Sequence, residues 1–277
     1  METIINGLKT NRAFAVTTCL VLLLIIIALA APVLSPYSPV EASMQNAFLS
    51  PSAEHIFGTD KLGRDNFSRV LYGARASLSG VLLLVFTVFV VGTTMGVLSG
   101  YYGGKVDIVI MRISDMMISF PGMILAIAVA GIMGGSLVNA VLALTIVSWT
   151  KYARLARSLV LKIKRRDFVE AAVVNGGSSS HILWVHILPN ILPLLVVTAA
   201  SDIGALMMEL AGLSFLGFGS QPPAPEWGLM LNEGRQQLQT APWLMIFPGL
   251  AIFITVVIFN LWGDNLRDVL DPRDEQN

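Results

Sequence analysis

Six long apolar runs constrain what this chain can fold into. They cover about residues 13–34, 78–99, 117–133, 137–152, 190–213 and 243–262. An apolar helix of roughly 20 residues is long enough to cross the hydrocarbon core of a bilayer. Because backbone groups in lipid must find hydrogen bonds within their own segment, each run is predicted to be helical. The sequence therefore predicts an all-α polytopic membrane protein with six transmembrane helices.

Composition supports a membrane protein and removes several other classes. Of the 277 residues, 55% are hydrophobic and only 13% are charged, whereas soluble domains are about a quarter charged. The net charge of zero gives a nucleic-acid partner no electrostatic support. The single cysteine, Cys19, lies in an apolar run, which excludes an intrachain disulfide and a thiolate metal cluster.

The first apolar run has some features of a secretory signal peptide. Lys9 and Arg12 precede it, and Ala28-Leu29-Ala30 resembles a small-residue cleavage site. The apolar region of a signal peptide usually has about 7–15 residues, and this run is near 20. We therefore expect a retained first transmembrane helix.

The basic residues indicate the orientation of the chain. Most of them fall in segments that are cytoplasmic when the N-terminus is cytoplasmic, as the positive-inside rule requires. We therefore expect both termini to be cytoplasmic. The exceptions are Lys61, Arg64, Arg69 and Arg75, in the first external loop, and Arg235.

The predicted cytoplasmic loop 151–189 has two different halves. Its first half is basic and is expected to orient the chain and to meet anionic lipid. In its second half, 167–174 is predicted to be a short helix with an acidic start, ending near Gly176-Gly177. Ser178-Ser179-Ser180 then offers N-caps for a second helix before Pro189. A helix–glycine–helix elbow outside the membrane, with Ala171-Ala172 as a small-residue face, suits docking into a groove on a partner.

This elbow resembles the EAA loop of ABC-importer permeases, whose short coupling helix inserts into an ATPase subunit. The residues that carry the resemblance are Glu170-Ala171-Ala172, Gly176 and His186-Ile187-Leu188-Pro189. His186 departs from the family pattern, which usually has an aliphatic residue there. The resemblance implies the type I ABC importer permease architecture, with ATP and Mg²⁺ bound by partner subunits and no cofactor on this chain. The implied ATPase-coupling residues are Asp167, Glu170, Ala171, Ala172, Gly176, Leu188 and Pro189.

Other segments narrow the resemblance to the second, C-type permease of dipeptide, oligopeptide and nickel importers. They include 57–65, 100–104 and 213–217, while 149–154 and 231–235 favour the nickel branch. The substrate stays open between nickel, free or chelated, and di- or oligopeptides. The resemblance implies a second permease, two ATPase subunits, an extracytoplasmic binding protein and a bacterial inner-membrane location. It divides the chain into an N-terminal helix with external segment, 1–77, and a five-helix core, 78–277.

Two carboxylates stand within the fifth predicted span. Asp202 and Glu209 are seven residues apart and lie on nearly one helix face. Intramembrane carboxylates are costly and usually face a bundle interior or a wet pathway. They therefore suggest a pathway for a cationic or amine-bearing substrate. The alternatives are an interhelical hydrogen bond or, for Glu209, a position at the outer mouth.

Soft ligands for a metal are few. Met207, Met208 and Met230 offer sulfur, although methionine is more often a gap-filling core residue. His181 and His186 are five residues apart, a spacing that does not place two imidazoles on one face of an α-helix. We therefore predict no metal site in the membrane, so that a binding protein or chelator would select nickel.

The segment Ser214 to Thr240 is rich in Gly and Pro and is predicted to be external. It is expected to cap the pathway or to meet the substrate-binding protein. An interfacial anchor is an equally good interpretation of Trp227.

The sequence distinguishes among three function classes: an enzyme, a proton-coupled secondary transporter and an importer permease. The chain has no glycine-rich phosphate-binding loop and no nucleophile–base pair, so it is not predicted to be an enzyme. A proton-coupled secondary transporter using Asp202 and Glu209 is the alternative, but such proteins commonly contain paired repeats, and none is visible. The predicted function is that of an importer permease that works by alternating access.

Overall fold

The computed structural model describes residues 7–8 and 11–270, and this part of the chain is built from helices with one isolated β-bridge between Thr59 and Asp65. In chain order the helices are α1 (Arg12–Leu34), α2 (Asn66–Tyr102), α3 (Gly104–Ile118), α4 (Gly122–Met133), α5 (Leu137–Ile163), α6 (Asp167–Val174), α7 (Ser179–Phe215), α8 (Trp227–Gly234) and α9 (Trp243–Leu270). Short 3₁₀ turns lie at Met44–Asn46 and Arg235–Gln237.

The predicted all-helical membrane fold is confirmed, but the count of six spans is not. By length and apolar composition, four helices can cross a membrane: α1, α2, α7 and α9. Helices α3 and α4 pass the same test only as a pair, bent by 95° at the break between them, which gives up to five spans. Helix α5 has 27 residues but is not among them. It carries Lys151, Arg154 and Arg157 within its length, which lowers its hydropathy.

Two helices extend well beyond the apolar runs that predicted them. Helix α2 begins at Asn66, where the Asp65 side chain accepts a hydrogen bond from the Ser68 backbone N–H at 2.7 Å. Helix α5 continues past residue 152 to Ile163, so the first part of the predicted loop 151–189 is helical. The helix continues because apolar residues on one of its faces remain buried down to Val160.

Helices α2 and α5 approach each other closely along a row of glycines. Gly92, Gly96 and Gly100 recur every fourth residue of α2 and meet the backbone and small side chains of α5. A Cβ atom at Gly96 would lie 2.3 Å from the Ala153 carbonyl oxygen and 2.7 Å from the Ala156 Cβ. Such close contact between membrane helices relies on van der Waals packing, which small residues permit.

The two ends of the helix bundle differ. At one end, residues 35–65 and 216–242 form a layer that we call the cap. At the other end, residues 167–189 form what we call the coupling element. Helix α7 begins in the coupling element and ends at the cap, so it connects the two ends directly.

Candidate coupling and pathway sites

The coupling element has the predicted helix–glycine–helix form. Helix α6 ends at Val174 with Asn175 as its C-cap, and Gly176 follows with φ +78°, a left-handed conformation that favours glycine. The Gly177 N–H donates to the Ala172 carbonyl at 3.0 Å, which closes the turn. The Ser178 side chain then accepts from the His181 N–H at 3.3 Å and caps α7.

Three buried residues attach the coupling element to the bundle. Val169, Ile182 and Ile187 are almost fully buried and belong to one apolar cluster with Val160 of α5 and Leu195 of α7. Other positions of the coupling element carry large apolar side chains that are exposed. Phe168, Val173, Val174, Trp184 and Val185 are all exposed, Val174 by 85%. Exposed apolar surface of this kind marks a site of contact with a partner protein or with the membrane.

A cavity of about 440 Å³ opens in this exposed face. Its lining residues are Phe168, Ala171, Ala172, Asn175, Gly177, His181 and His186. Among the coupling residues expected from the sequence, Ala171 and Ala172 therefore lie at the cavity. The others border the element elsewhere: Asp167, Glu170, Gly176 and Pro189 are exposed, and Leu188 is half-buried.

The expected separation of the two cytoplasmic-loop histidines is wrong. Residues Ile182–Ile187 form a π-helical turn, in which the Leu188 N–H donates to the Leu183 carbonyl. Because a π-turn bonds residue i to residue i+5, His181 and His186 come onto one face, with ring centroids 5.6 Å apart. Within residues 7–8 and 11–270, no group of three or more His, Cys, Asp or Glu side chains could hold a metal ion.

Asp202 is paired with Lys151, the first residue of the predicted loop 151–189. The Lys151 Nζ lies 2.7 Å from both carboxylate oxygens of Asp202, and the Tyr152 hydroxyl donates to Oδ2 at 3.0 Å. The interhelical hydrogen bond considered as an alternative for Asp202 is therefore present. Lys151 and Tyr152 were missed because the apolar run ends beside them, although α5 continues.

The methionines divide between core and surface. Met207 and Met230 are buried, as gap-filling core residues would be, whereas Met208 is 55% exposed. Glu209 is half-buried and follows Met208 on α7. Asp202 and Glu209 thus lie on nearly one face of α7, and Met208 lies roughly 120° around the helix from Asp202.

The cap contains a buried cluster of charges. The Arg64 Nε donates to Asp60 at 2.6 Å, and Arg64 and Arg69 both donate to the Glu233 carboxylate, at 3.1 and 2.7 Å. Both arginine side chains are only 1% exposed. Two of the basic residues that broke the positive-inside pattern are therefore neutralised by carboxylates within the cap.

The interpretation of Trp227 as an interfacial anchor is wrong. Its side chain is 3% exposed, and its indole N–H donates to the Val70 carbonyl at 2.9 Å. Glu226 next to it caps α8 by accepting from the Gly228 and Leu229 N–H groups, both at 2.9 Å. Burial raises the pKa of the Glu226 carboxyl above its usual value, and these hydrogen bonds oppose part of the rise.

Basic residues of α5 also hold α3 in place. Arg157 donates through Nε and Nη2 to Asp107, at 2.5 Å each, and Arg154 donates to Asp115 at 2.7 Å. The Lys164 Nζ donates to the Tyr101 carbonyl at 2.7 Å. These charges therefore have structural partners besides any role in orienting the chain.

The described residues form an all-helical bundle with four, or up to five, candidate membrane spans. Residues 92–275 match the model of the family described as "Binding-protein-dependent transport system inner membrane component", and the chain belongs to this family. Residues 3–51 match the N-terminal TM domain of oligopeptide transport permease C. The chain is thus a permease subunit of an ABC importer, a multi-pass inner-membrane protein.

Relatives in the same family are similar over most of their length. The chain is 44% identical to the dipeptide transport system permease protein DppC of Alkalihalophilus pseudofirmus, over 96% of this chain and 88% of that protein. It is 47% identical to the glutathione transport system permease protein GsiD of Pectobacterium atrosepticum, over 91% and 84%. Identity to the nickel transport system permease protein NikC of Escherichia coli is 42%, over 96% of each. The resemblance to dipeptide, oligopeptide and nickel permeases is confirmed.

A solved structure supports the fold. The inward-facing MetNI methionine ABC transporter matches with a TM-score of 0.59 at 22% identity, over 73% of this chain and 96% of that chain. At this identity the likeness concerns the fold alone, and it confirms the predicted type I importer permease architecture.

Proposed function

We propose that this chain forms, with a second permease, the translocation pathway of an importer for di- or oligopeptides or for nickel, free or chelated. Two ATPase subunits bind ATP and Mg²⁺ and drive transport through the coupling element, and an extracytoplasmic binding protein delivers substrate to the cap. The named substrates of the relatives, dipeptide, glutathione and nickel, support this range.

The observation that carries the proposal is the coupling element itself. It combines a buried anchor, in which Ile187 is fully inaccessible, with an exposed apolar face and an open cavity. An exposed apolar face is unfavourable in water, whereas contact with a partner subunit buries it. In this proposal Asp167, Glu170 and Gly176 contact the ATPase, and Ala171 and Ala172 admit its side chains into the cavity.

The helix that follows gives a mechanical path from the ATPase to the pathway. Helix α7 runs for 37 residues from the coupling element to the cap, a length of roughly 55 Å. Leu188 and Pro189 lie near its start, and Asp202, Met208 and Glu209 lie further along it. A displacement of the coupling element by ATP-driven closure of the ATPases therefore shifts the residues that we propose to line the pathway. In this form of alternating access, ATP-driven motion is applied to one end of a rigid helix.

The orientation in this proposal places the coupling element and both termini in the cytoplasm and the cap outside. Most basic residues of the chain lie in segments that this orientation places in the cytoplasm, as the positive-inside rule requires, and Arg64 and Arg69 of the cap are exceptions to it. The two chain ends, with Lys9 and Arg273, lie outside the described residues.

The test is uptake by the complete transporter in proteoliposomes, with Glu170→Ala compared with Asp264→Ala. Both carboxylates are exposed, but Asp264 lies on α9, outside the coupling element and the cap. We expect Glu170→Ala to lower ATP-driven uptake roughly tenfold or more, equivalent to at least about 1.4 kcal/mol of docking free energy. Asp264→Ala should retain uptake. Unchanged uptake in the Glu170 variant, driven by a proton gradient rather than by ATP, would refute the proposal and favour a proton-coupled transporter.

A further inference from the structure

Lys151 and Asp202 form an ion pair at mid-length of two membrane helices. Lys151 lies about 20 Å along α5 from its start at Leu137, and Asp202 lies about 20 Å along α7 from its end at Phe215. Both of these helix ends are at the cap. The two side chains therefore meet at the same depth, far from either end of the bundle.

The pair is asymmetric in a way that suits ligand exchange. Asp202 is fixed from behind by the hydroxyl of Tyr152, which is 1% exposed, and its own side chain is 17% exposed. The Lys151 side chain is 60% exposed, and within the described residues its ammonium group contacts Asp202 alone. A carboxylate with a second partner therefore faces an exposed ammonium group without one.

The exposed Lys151 side chain indicates whether this part of α5 faces lipid or water. A charged ammonium group at this depth is costly in lipid, and intramembrane charges face a bundle interior or a water-filled cavity. Arg154, one turn further along α5, turns instead to Asp115 of α3. Glu209, half-buried and seven residues along α7 from Asp202, adds a second carboxylate on nearly the same helix face.

We propose that Lys151, Asp202 and Tyr152 form a recognition site for a zwitterion, resting on the proposed function and specifying its substrate class. Asp202 receives the ammonium group of a small peptide, and Lys151 receives its carboxylate. Without substrate the two side chains neutralise each other. With substrate, one ion pair is replaced by two, so that no charge is left unpaired in a low-dielectric site. A bare divalent cation has no such exchange, because Lys151 repels it.

The test uses the complete transporter, with both permeases, the ATPases and the binding protein, in proteoliposomes. Uptake is measured for a labelled dipeptide, its N-acetyl form, its C-terminal amide and Ni²⁺. The variants are Lys151→Met, Asp202→Asn and the double variant. Each rate is divided by the wild-type rate for the same substrate, which cancels the selectivity of the binding protein. The matched control is Arg154→Met with Asp115→Asn, an ion pair of the same length on the same helix.

We expect Lys151→Met to lower dipeptide uptake about tenfold and to leave amide uptake unchanged. Asp202→Asn should lower dipeptide uptake similarly and leave uptake of the N-acetyl form unchanged, and the control variant should treat all substrates as the wild type does. An equal loss for all peptides would show a merely structural pair, and an absence of loss would show no role. Either result overturns the inference, as does wild-type uptake of Ni²⁺ in preference to the dipeptide.

A second measurement needs neither the binding protein nor transport. The thermal unfolding temperature of the purified complex is recorded with millimolar dipeptide or with its two blocked forms. The dipeptide should stabilise the wild type and the control variant but not Lys151→Met or Asp202→Asn, and equal stabilisation of all of them would overturn the inference. If wild-type proteoliposomes instead show no ATP-driven uptake of peptide or nickel, the proposed function fails as well. If ATP-driven uptake is present but the variants affect all substrates equally, only the proposed recognition site is refuted.

Discussion

The Nη2 of Arg69 donates to the Oε2 of Glu233 at 2.7 Å, although 164 residues separate them in the chain. Arg64 donates to the same carboxylate and to Asp60, so two arginines share two acidic partners. Because the arginines are almost inaccessible, their charges depend on these carboxylates for neutralisation. The cluster fastens the segment before α2 to the end of α8.

Glu233→Gln should therefore destabilise the protein strongly. The substitution leaves two buried guanidinium groups with the single carboxylate of Asp60, and breaking one side of a buried ion pair costs about 3–5 kcal/mol. Thermal unfolding of the purified protein in detergent measures the effect. Arg235→Gln, a change of similar size at an exposed position two residues away, should alter the unfolding temperature little. Equal effects of the two variants would contradict a stabilising role for the cluster.

Gly96→Ala should separate α2 from α5. The new Cβ would lie 2.3 Å from the Ala153 carbonyl oxygen, and a backbone atom cannot move aside cheaply. Overpacking of this kind typically costs about 1–3 kcal/mol, which should appear as a lower unfolding temperature and a smaller folded yield. At Gly131 the nearest atom, on Phe218, would be 3.6 Å away, an ordinary contact. Gly131→Ala is therefore the control, and a similar loss there would mean that the close approach is unimportant.

The sequence predicted the helices whose residues are apolar and the glycine turn of the coupling element. It did not predict that α5 continues to Ile163, because Lys151, Arg154 and Arg157 interrupt the hydropathy pattern. Their partners Asp202, Asp115 and Asp107 lie on other helices, and only the packed structure brings them together.

The π-turn and the burial of Trp227 were hidden for a related reason. A π-turn at Ile182–Ile187 is a choice of backbone hydrogen bonds, which leaves no mark in the residue spacing. Trp227 fits into a space opened by Gly73, 154 positions earlier, where a Cβ would approach its ring to 2.6 Å. Both features depend on contacts between distant segments.

The two ion pairs between α3 and α5 should differ in strength. Arg157 contacts Asp107 through two nitrogens and the Ser99 hydroxyl also donates to this carboxylate, whereas Arg154 and Asp115 are joined by one contact and are about half exposed. Exposed single pairs contribute about 0–1 kcal/mol, and a bidentate pair should contribute more. Double-mutant cycles of the unfolding free energy, with alanine at each position, measure both coupling energies. A coupling for Asp115 with Arg154 as large as that for Asp107 with Arg157 would contradict this ranking.

Gly176→Ala should reduce transport without unfolding the protein. Gly176 has φ +78° and open space around its Cα, so alanine adds backbone strain of about 1–2 kcal/mol but no clash. Gly134, between α4 and α5, has φ +85°, ψ 162° and equally open space. Almost only glycine adopts this backbone conformation, so Gly134→Ala adds at least as much strain at the other end of the bundle.

The Gly134 variant should therefore unfold at the same temperature as the Gly176 variant or at a lower one, and yet transport better. Strain at Gly176 reorients α6 against the start of α7, and with it the face that we propose contacts the ATPase. ATP-driven uptake by the Gly176 variant should fall severalfold, because each 1.4 kcal/mol of lost contact free energy lowers occupancy roughly tenfold. Uptake by the Gly134 variant should stay near that of the wild type. Because the Gly134 variant bears at least as much strain, equal transport by the two would mean that the angle of this elbow does not matter for coupling.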